Sequence, residues 1–220
     1  MRRSFLASVP LLAGLIVALA LVGPAPVAGP ERAEAGTVTR TRSERLYEAL
    51  RLEGVMAREA FTAAHERLLQ EDSTATTLAI ADMARPSTEQ RLVIVDLARA
   101  RVLLRTWVAH GSGSGGLFAE RFGNTPDSHQ TSLGLYRVGA RIRSPKHGPA
   151  LLLDGLDRGL NDRARMREII IHAADYVSER FIARTGRLGR SWGCPAVPRD
   201  QIAPVIEALA DGGYLFVHGA

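Results

Sequence analysis

The chain has 220 residues, 46% of them hydrophobic and 23% charged, with a formal net charge of +5. That apolar fraction excludes a globally disordered chain, and the length allows one domain of ordinary size with a short extension. Lys146 is the only lysine, and no dense basic run with interleaved aromatics occurs, so the charge suits an anionic wall polymer or lipid better than nucleic acid.

In chain order, the first element is a targeting segment. Arg2 and Arg3 precede an unbroken apolar stretch, Leu11 to Val22, and Ala33-Glu34-Ala35 supplies a small-x-small cleavage site. This is the grammar of a secretory signal peptide. Left uncleaved, the same segment would be a membrane anchor. No cysteine follows it, which excludes lipoprotein attachment. Residues 36–43 read as a polar linker. From Glu44 to Gln70 the apolar residues keep helical spacing, with Ser43 as a cap and Gly54 dividing two helices. His65 in this stretch reads as an exposed helical histidine.

At Leu78 the texture turns to strands. LAIADM is the first, and LVIVDLARARVLLRTWVAHG is a hairpin turning near Ala98 to Arg101. The glycine-rich GSGSGG of residues 111–116 lacks the Lys-Ser/Thr ending of a phosphate loop, and reads as a loop bordering substrate, a lid running to Ser132. LGLYRVGARI and ALLLDGL are further strands, and residues 159–168 are a polar loop or short helix. IIIH is a buried strand ending at His172, followed by a helix to about Arg184 with Gly186 as its C-cap. A loop holds GRSWGCPAV, a helix starts near Pro198, and YLFVHG closes the chain as a strand.

Cys194 is the only cysteine. In an exported protein a lone cysteine is a buried small hydrophobe, an intermolecular link or a reactive thiol. Gly193 on one side and Pro195 on the other suit a tight, substrate-approachable turn. The N–H groups of Gly193 and Cys194 would serve as an oxyanion site, and Arg187 and Arg190 would favour a thiolate. A thiol needs a base. Of six histidines, His110 and His172 follow apolar strands; His172 is the stronger candidate, because a helix and a loop return the chain from it to Cys194. One cysteine and no close histidine pair give no zinc-ligand spacing.

The stretch HAADYVSERFIARTGRLGRSWGCPAV resembles the signature of the L,D-transpeptidase catalytic domain family (YkuD-like), in its murein L,D-transpeptidase branch. VAHGSGSG, FGNTPDSHQTSLGLY and HGPALLLDGLDRGLNDRARMREIIIHAADYV carry the resemblance over residues 78–220. It implies a β-rich α+β fold, a YkuD-like β-sandwich catalytic domain with a few helices and an N-terminal helical extension. It implies a peptidoglycan L,D-transpeptidase that cross-links third residues of stem peptides through a cysteine acyl-enzyme, with Cys194 as nucleophile and His172 as general base. Backbone donors at Gly193 and Cys194 would form the oxyanion hole. Arg190, Ser191, Trp192, His110 and His129 are the candidate substrate contacts, and Tyr176, one helical turn after His172, would support the base or pack. No metal or organic cofactor is implied, and the partners are peptidoglycan stem peptides in the periplasm or cell envelope of a bacterium, not nucleic acid. Many members have a histidine where this chain has Trp192, and an arginine or asparagine where it has Ala196.

The expected organisation is therefore residues 1–35 as signal peptide or membrane anchor, 36–75 as linker and helical extension, and 76–220 as catalytic domain. The alternatives are an L,D-carboxypeptidase or protein-anchoring acyltransferase using the same site, or a non-catalytic cell-wall-binding module. A papain-like amidase would place its cysteine before its histidine, the reverse of the order here.

Overall fold

The computed structural model describes residues 40–219. The expected signal peptide or anchor at 1–35 and the start of the linker lie outside the described residues. Among the described residues two helices come first, α1 (Arg42–Ala49) and α2 (Arg58–Glu71), with Gly54 at φ 72° in the break between them. Thr41, rather than Ser43, caps α1: its hydroxyl accepts the Glu44 N–H, and the Glu44 carboxylate accepts the Thr41 N–H in return. Ser43 turns inward instead and hydrogen-bonds His65 Nδ1 at 2.8 Å. His65 is thus not exposed as expected. It is buried and stacked on Phe61, four residues earlier on the same face of α2. A single hydroxyl partner makes that burial tolerable, and nothing in the local spacing revealed it.

Eight strands follow: β1 (Thr77–Asp82), β2 (Leu92–Asp96), β3 (Arg101–Thr106), β4 (Gly134–Ser144), β5 (Gly148–Gly155), β6 (Ile170–Ala173), β7 (Ala196–Val197) and β8 (Tyr214–His218). Two helices are interleaved, α3 (Glu179–Thr185) before β7 and α4 (Ile202–Leu209) after it. The strands form one sheet in the order β3-β2-β1-β8-β4-β5-β6-β7. Only β1 with β8 and β6 with β7 run parallel; every other neighbouring pair is antiparallel. Past β3, the chain crosses to the far edge, where Ala109 bridges Ala196 of β7. The two ends of the sheet therefore meet, giving a barrel-like wrap that shields most of the sheet edge. The β-rich α+β class holds.

The alternation along β1 and β2 explains how the layers assemble. Ala79, Ala81, Leu92 and Ile94 face the interior, packing with Leu151, Leu153, Ile171, Leu215 and the Val205 and Leu209 of α4. Leu78, Ile80, Val93 and Val95 face outward onto Phe61 and Leu68 of α2. Both strands are buried on both faces, which is why they read as continuous apolar runs rather than as alternating ones. α3 begins later than expected, at Glu179, with Ser178 capping it and Gly186 ending it at φ 74°. α4 likewise becomes regular only at Ile202, after Pro198 has opened a turn.

Candidate active site

β6 and β7 fix the relation between the two residues expected to carry chemistry. His172 pairs in parallel register with Ala196, and its N–H meets the Pro195 carbonyl at 3.4 Å. Cys194 lies just before that pairing begins. Both residues line one cleft of ≈ 750 Å³, walled by Ile142 to His147 on one side and by Tyr176 and Arg190 to Trp192 on the other. Cys194 is partly exposed, and its thiol donates to the Glu168 carbonyl at 3.8 Å. Surrounding protein pushes the thiol pKa up, while the Ile170 backbone N–H and the Arg167 guanidinium act in the opposite direction. The resting sulfur is therefore a neutral thiol near pH 7.

His172 is buried, and burial pulls its imidazole down to about 4. Its Nδ1 lies 2.9 Å from the carbonyl of Ala173. A carbonyl only accepts, so Nδ1 carries the proton and the free lone pair is on Nε2. The ring of His147 stacks on it, with centroids 3.8 Å apart.

The turn around Cys194 is braced from within. Ser191 Oγ donates to the Cys194 carbonyl at 2.6 Å and accepts the Gly193 N–H at 3.1 Å. Both groups expected at the site thus have partners inside the turn: the Gly193 N–H is engaged by Ser191 Oγ, and the Ser191 hydroxyl has spent its one donor on the Cys194 carbonyl, keeping one acceptor lone pair. Gly193 has φ 118°, and a Cβ there would lie 2.8 Å from the Gln130 carbonyl, so only glycine suits this position. Among the oxyanion candidates, the Cys194 N–H remains.

His110 does not reach the cleft either. It is 0% exposed, accepts from Arg91 Nη2 at 2.8 Å through Nδ1, and is pulled down to about 4 by burial. Its own backbone carbonyl holds the Ser191 N–H, so its place is behind the turn, as support. His129 stacks on Trp192 at 4.8 Å, touching the cleft only through that ring. Trp192 is 68% exposed and also carries Lys146 Nζ over its face at 4.7 Å. Arg190 lines the cleft and donates to the Gly115 carbonyl. Arg187 turns back to the Leu188 carbonyl. Tyr176 is a cleft wall, its phenol pushed up to about 12 by burial and then by Cys194.

The start of the stretch from Gly111 to Ser132, expected as a lid, is tied to the Cys194 turn. Gly111 and Ser112 pack under the turn, where the Ser112 N–H donates to the Ser191 carbonyl. The cover over the cleft is the β4–β5 hairpin tip, Pro145-Lys146-His147. Arg167 is the other residue that sequence reasoning missed. It is half-buried beside the thiol and tied to the Gly123 carbonyl at 2.9 Å. Neither carries a local signal, since RSPKHG and RARMRE read as polar turns.

The family model for the L,D-transpeptidase catalytic domain matches residues 51–218. The chain belongs to the L,D-transpeptidase catalytic domain family. That family acts on peptidoglycan stem peptides and works in the cell envelope. Solved structures similar to this chain include an L,D-transpeptidase from Mycobacterium smegmatis, 14% identical with a TM-score of 0.41, covering 66% of this chain and 59% of that one. Another, from Stackebrandtia nassauensis, is 14% identical with a TM-score of 0.39, covering 80% and 76%. The cell-shape protein Pgp2 of Campylobacter jejuni is 12% identical with a TM-score of 0.43, covering 66% and 48%. The chain thus spans about three fifths of the length of the Mycobacterium smegmatis structure and about half of that of Pgp2. No curated protein matches the chain.

Proposed function

We propose that the chain is an active cysteine-dependent L,D-transpeptidase whose nucleophile is Cys194 and whose general base is His172. The observation that carries this reading is the cleft shared by a thiol and a neutral imidazole whose tautomer leaves Nε2 free to take a proton. The lining charge supports an acidic peptide substrate: Arg143, Lys146, Arg167 and Arg190 stand against Glu168, while Arg165 is paired with Asp154. A stem peptide with free carboxylates suits such a wall. Arg190, exposed at the rim, is the proposed anchor for one of them.

His172 Nε2 takes the thiol proton as Cys194 Sγ attacks the carbonyl of the third residue of a tetrapeptide stem. The tetrahedral oxyanion is held by the Cys194 N–H, with Arg167 adding positive field. The C–N bond to the terminal D-alanine breaks, and His172 returns the proton to the leaving amine. A thioester remains. The side-chain amine of a neighbouring stem's third residue then attacks and loses its proton to His172. The thioester C–S bond breaks, the sulfur regains its proton, and the two stems are joined. Residues 1–35 would deliver the enzyme to the envelope as signal peptide or anchor.

The test is incubation of the protein with tetrapeptide muropeptides, products read by mass spectrometry, with Cys194→Ala alongside. Release of D-alanine with a dimer joined between third residues is the expected result. Tripeptide alone would make the protein an L,D-carboxypeptidase. Absence of any Cys194-dependent product from folded protein would leave a wall-binding module.

A further inference from the structure

We infer that His147 is a positioning residue for His172, holding the base's ring by stacking from the tip of the β4–β5 hairpin. The inference rests on the Cys194–His172 reading above and adds the group that sets the base's orientation. A histidine acting as base needs its ring plane fixed as well as its tautomer. The tautomer is set by the Ala173 carbonyl, one hydrogen bond at the ring's edge. A single edge bond leaves the ring free to swing about it. Among the described residues, no other side chain hydrogen-bonds His172, so no carboxylate or amide does the orienting.

What meets the ring's face is His147, with centroids at 3.8 Å and planes inclined by 27°. The hairpin presents it there because β4 and β5 pair as far as Ser144 with Gly148, leaving three residues to turn. Ser144 Oγ accepts the His147 N–H at 3.3 Å and ties the turn down. The preceding residue, Lys146, lies over Trp192 at 4.7 Å. Adjacent residues of one turn thereby touch both the base and the tryptophan beside Gly193 and Cys194. The contact of Lys146 with Trp192 and the bond inside the turn both hold the tip against the ring of His172. Among the described residues, no hydrogen bond is made by the His147 ring, so the stack on His172 is its closest side-chain engagement. Burial, then the charges of Lys146 and Arg199, lower the pKa of its imidazole, which favours the neutral ring as the face that meets His172.

The experiment reads the alkylation rate of Cys194 by iodoacetamide in the folded protein near pH 7, which needs no substrate. Wild type is compared with His172→Ala, His147→Ala and His147→Phe, each with its thermal midpoint measured. The hairpin tip is peripheral, so the midpoints of the His147 variants should match wild type. The expected result is a rate lowered at least tenfold in His172→Ala, lowered about fivefold in His147→Ala, and within twofold of wild type in His147→Phe, because phenylalanine keeps the stack. An unchanged or faster rate in His147→Ala, with His172→Ala still slow, would overturn the positioning role and leave the Cys194–His172 pair standing. Slow alkylation in both His147 variants would also overturn it, since a ring nitrogen rather than the stack would then matter. A wild-type rate in His172→Ala would instead remove the pair itself, and this inference with it.

Discussion

At the scale of single residues, the site is held by short local bonds that fix what each group can do. Ser191 is the clearest case, because its hydroxyl both donates to the Cys194 carbonyl and accepts the Gly193 N–H. Ser191→Ala leaves two polar backbone groups unpaired in a buried turn, at a cost of about 1–3 kcal/mol each if water does not replace the partner. The midpoint of thermal unfolding should fall and turnover should drop more than tenfold, whereas Ser191→Thr should keep both near wild type. Equal turnover in Ser191→Ala would mean that the turn holds without its brace. The ionisation states make a second prediction. His172 is held at about 4 by burial, so it stays a neutral base well below the ordinary histidine range of about 6.5. The acid limb of kcat/KM should lie near pH 4 rather than near 6.5. The thiol is pushed the other way, so alkylation without substrate should keep rising above pH 8.5, the ordinary thiol value being about 8.5. A plateau below pH 7 would instead mean a preformed thiolate, which these surroundings do not favour.

At the scale of elements, the loop GSGSGG separates its own glycines by what surrounds them. A Cβ on Gly111 would lie 2.2 Å from the His129 carbonyl and 2.9 Å from Gly193 Cα, whereas one on Gly116 would meet nothing within 4 Å. Gly111→Ala should therefore destabilise by about 1–3 kcal/mol and push the Cys194 turn out of place, while Gly116→Ala should leave unfolding and turnover unchanged. Chemical denaturation of the two variants with parallel turnover assays checks this, and equal behaviour would mean the loop does not brace the turn. The same contrast marks what could be read in the sequence. LVIVDLARARVLLRT spells β2, a turn and β3, because local propensity and tertiary packing agree there. His172 and Cys194 could be paired from their order and flanks, because a strand, a helix and a loop are enough to bring the chain back. The seat of Gly111 and Ser112 under the turn was not legible, because glycine content signals close approach but not which surface is approached. The hairpin tip carries no signal in the sequence because SPKHG is an ordinary turn, and the rings its residues meet, His172 and Trp192, lie far along the chain. Arg167 was missed for the same reason: its partners, Gly123, Gln130 and Ser132, lie more than thirty positions away.

At the scale of the whole molecule, closure of the sheet and the layer of α1 and α2 bury three histidines in neutral form. His65 sits between α1 and α2, His110 behind the Cys194 turn, and His172 at the cleft. Burial lowers the pKa of all three, with His110 and His172 drawn to about 4. An unfolded chain has no such burial, and its histidines take up protons near pH 6.5. Below that value the unfolded state binds protons that the native state refuses, so stability falls as pH falls, until the folded groups titrate as well. For His110 and His172 the window runs from about 6.5 down to about 4, with a slope of up to about 1.4 kcal/mol per pH unit for each histidine. Urea unfolding between pH 7.5 and 4.5 should show midpoints that are level above pH 7 and decline steeply below 6.5. His65→Phe should lessen the decline without touching the cleft, since phenylalanine fills the same place on Phe61 and carries no proton. It also leaves the Ser43 hydroxyl without its partner, so a somewhat lower plateau above pH 7 is expected alongside the shallower slope. An unchanged slope in that variant would mean His65 gains its proton equally in both states and that burial between α1 and α2 does not exclude it.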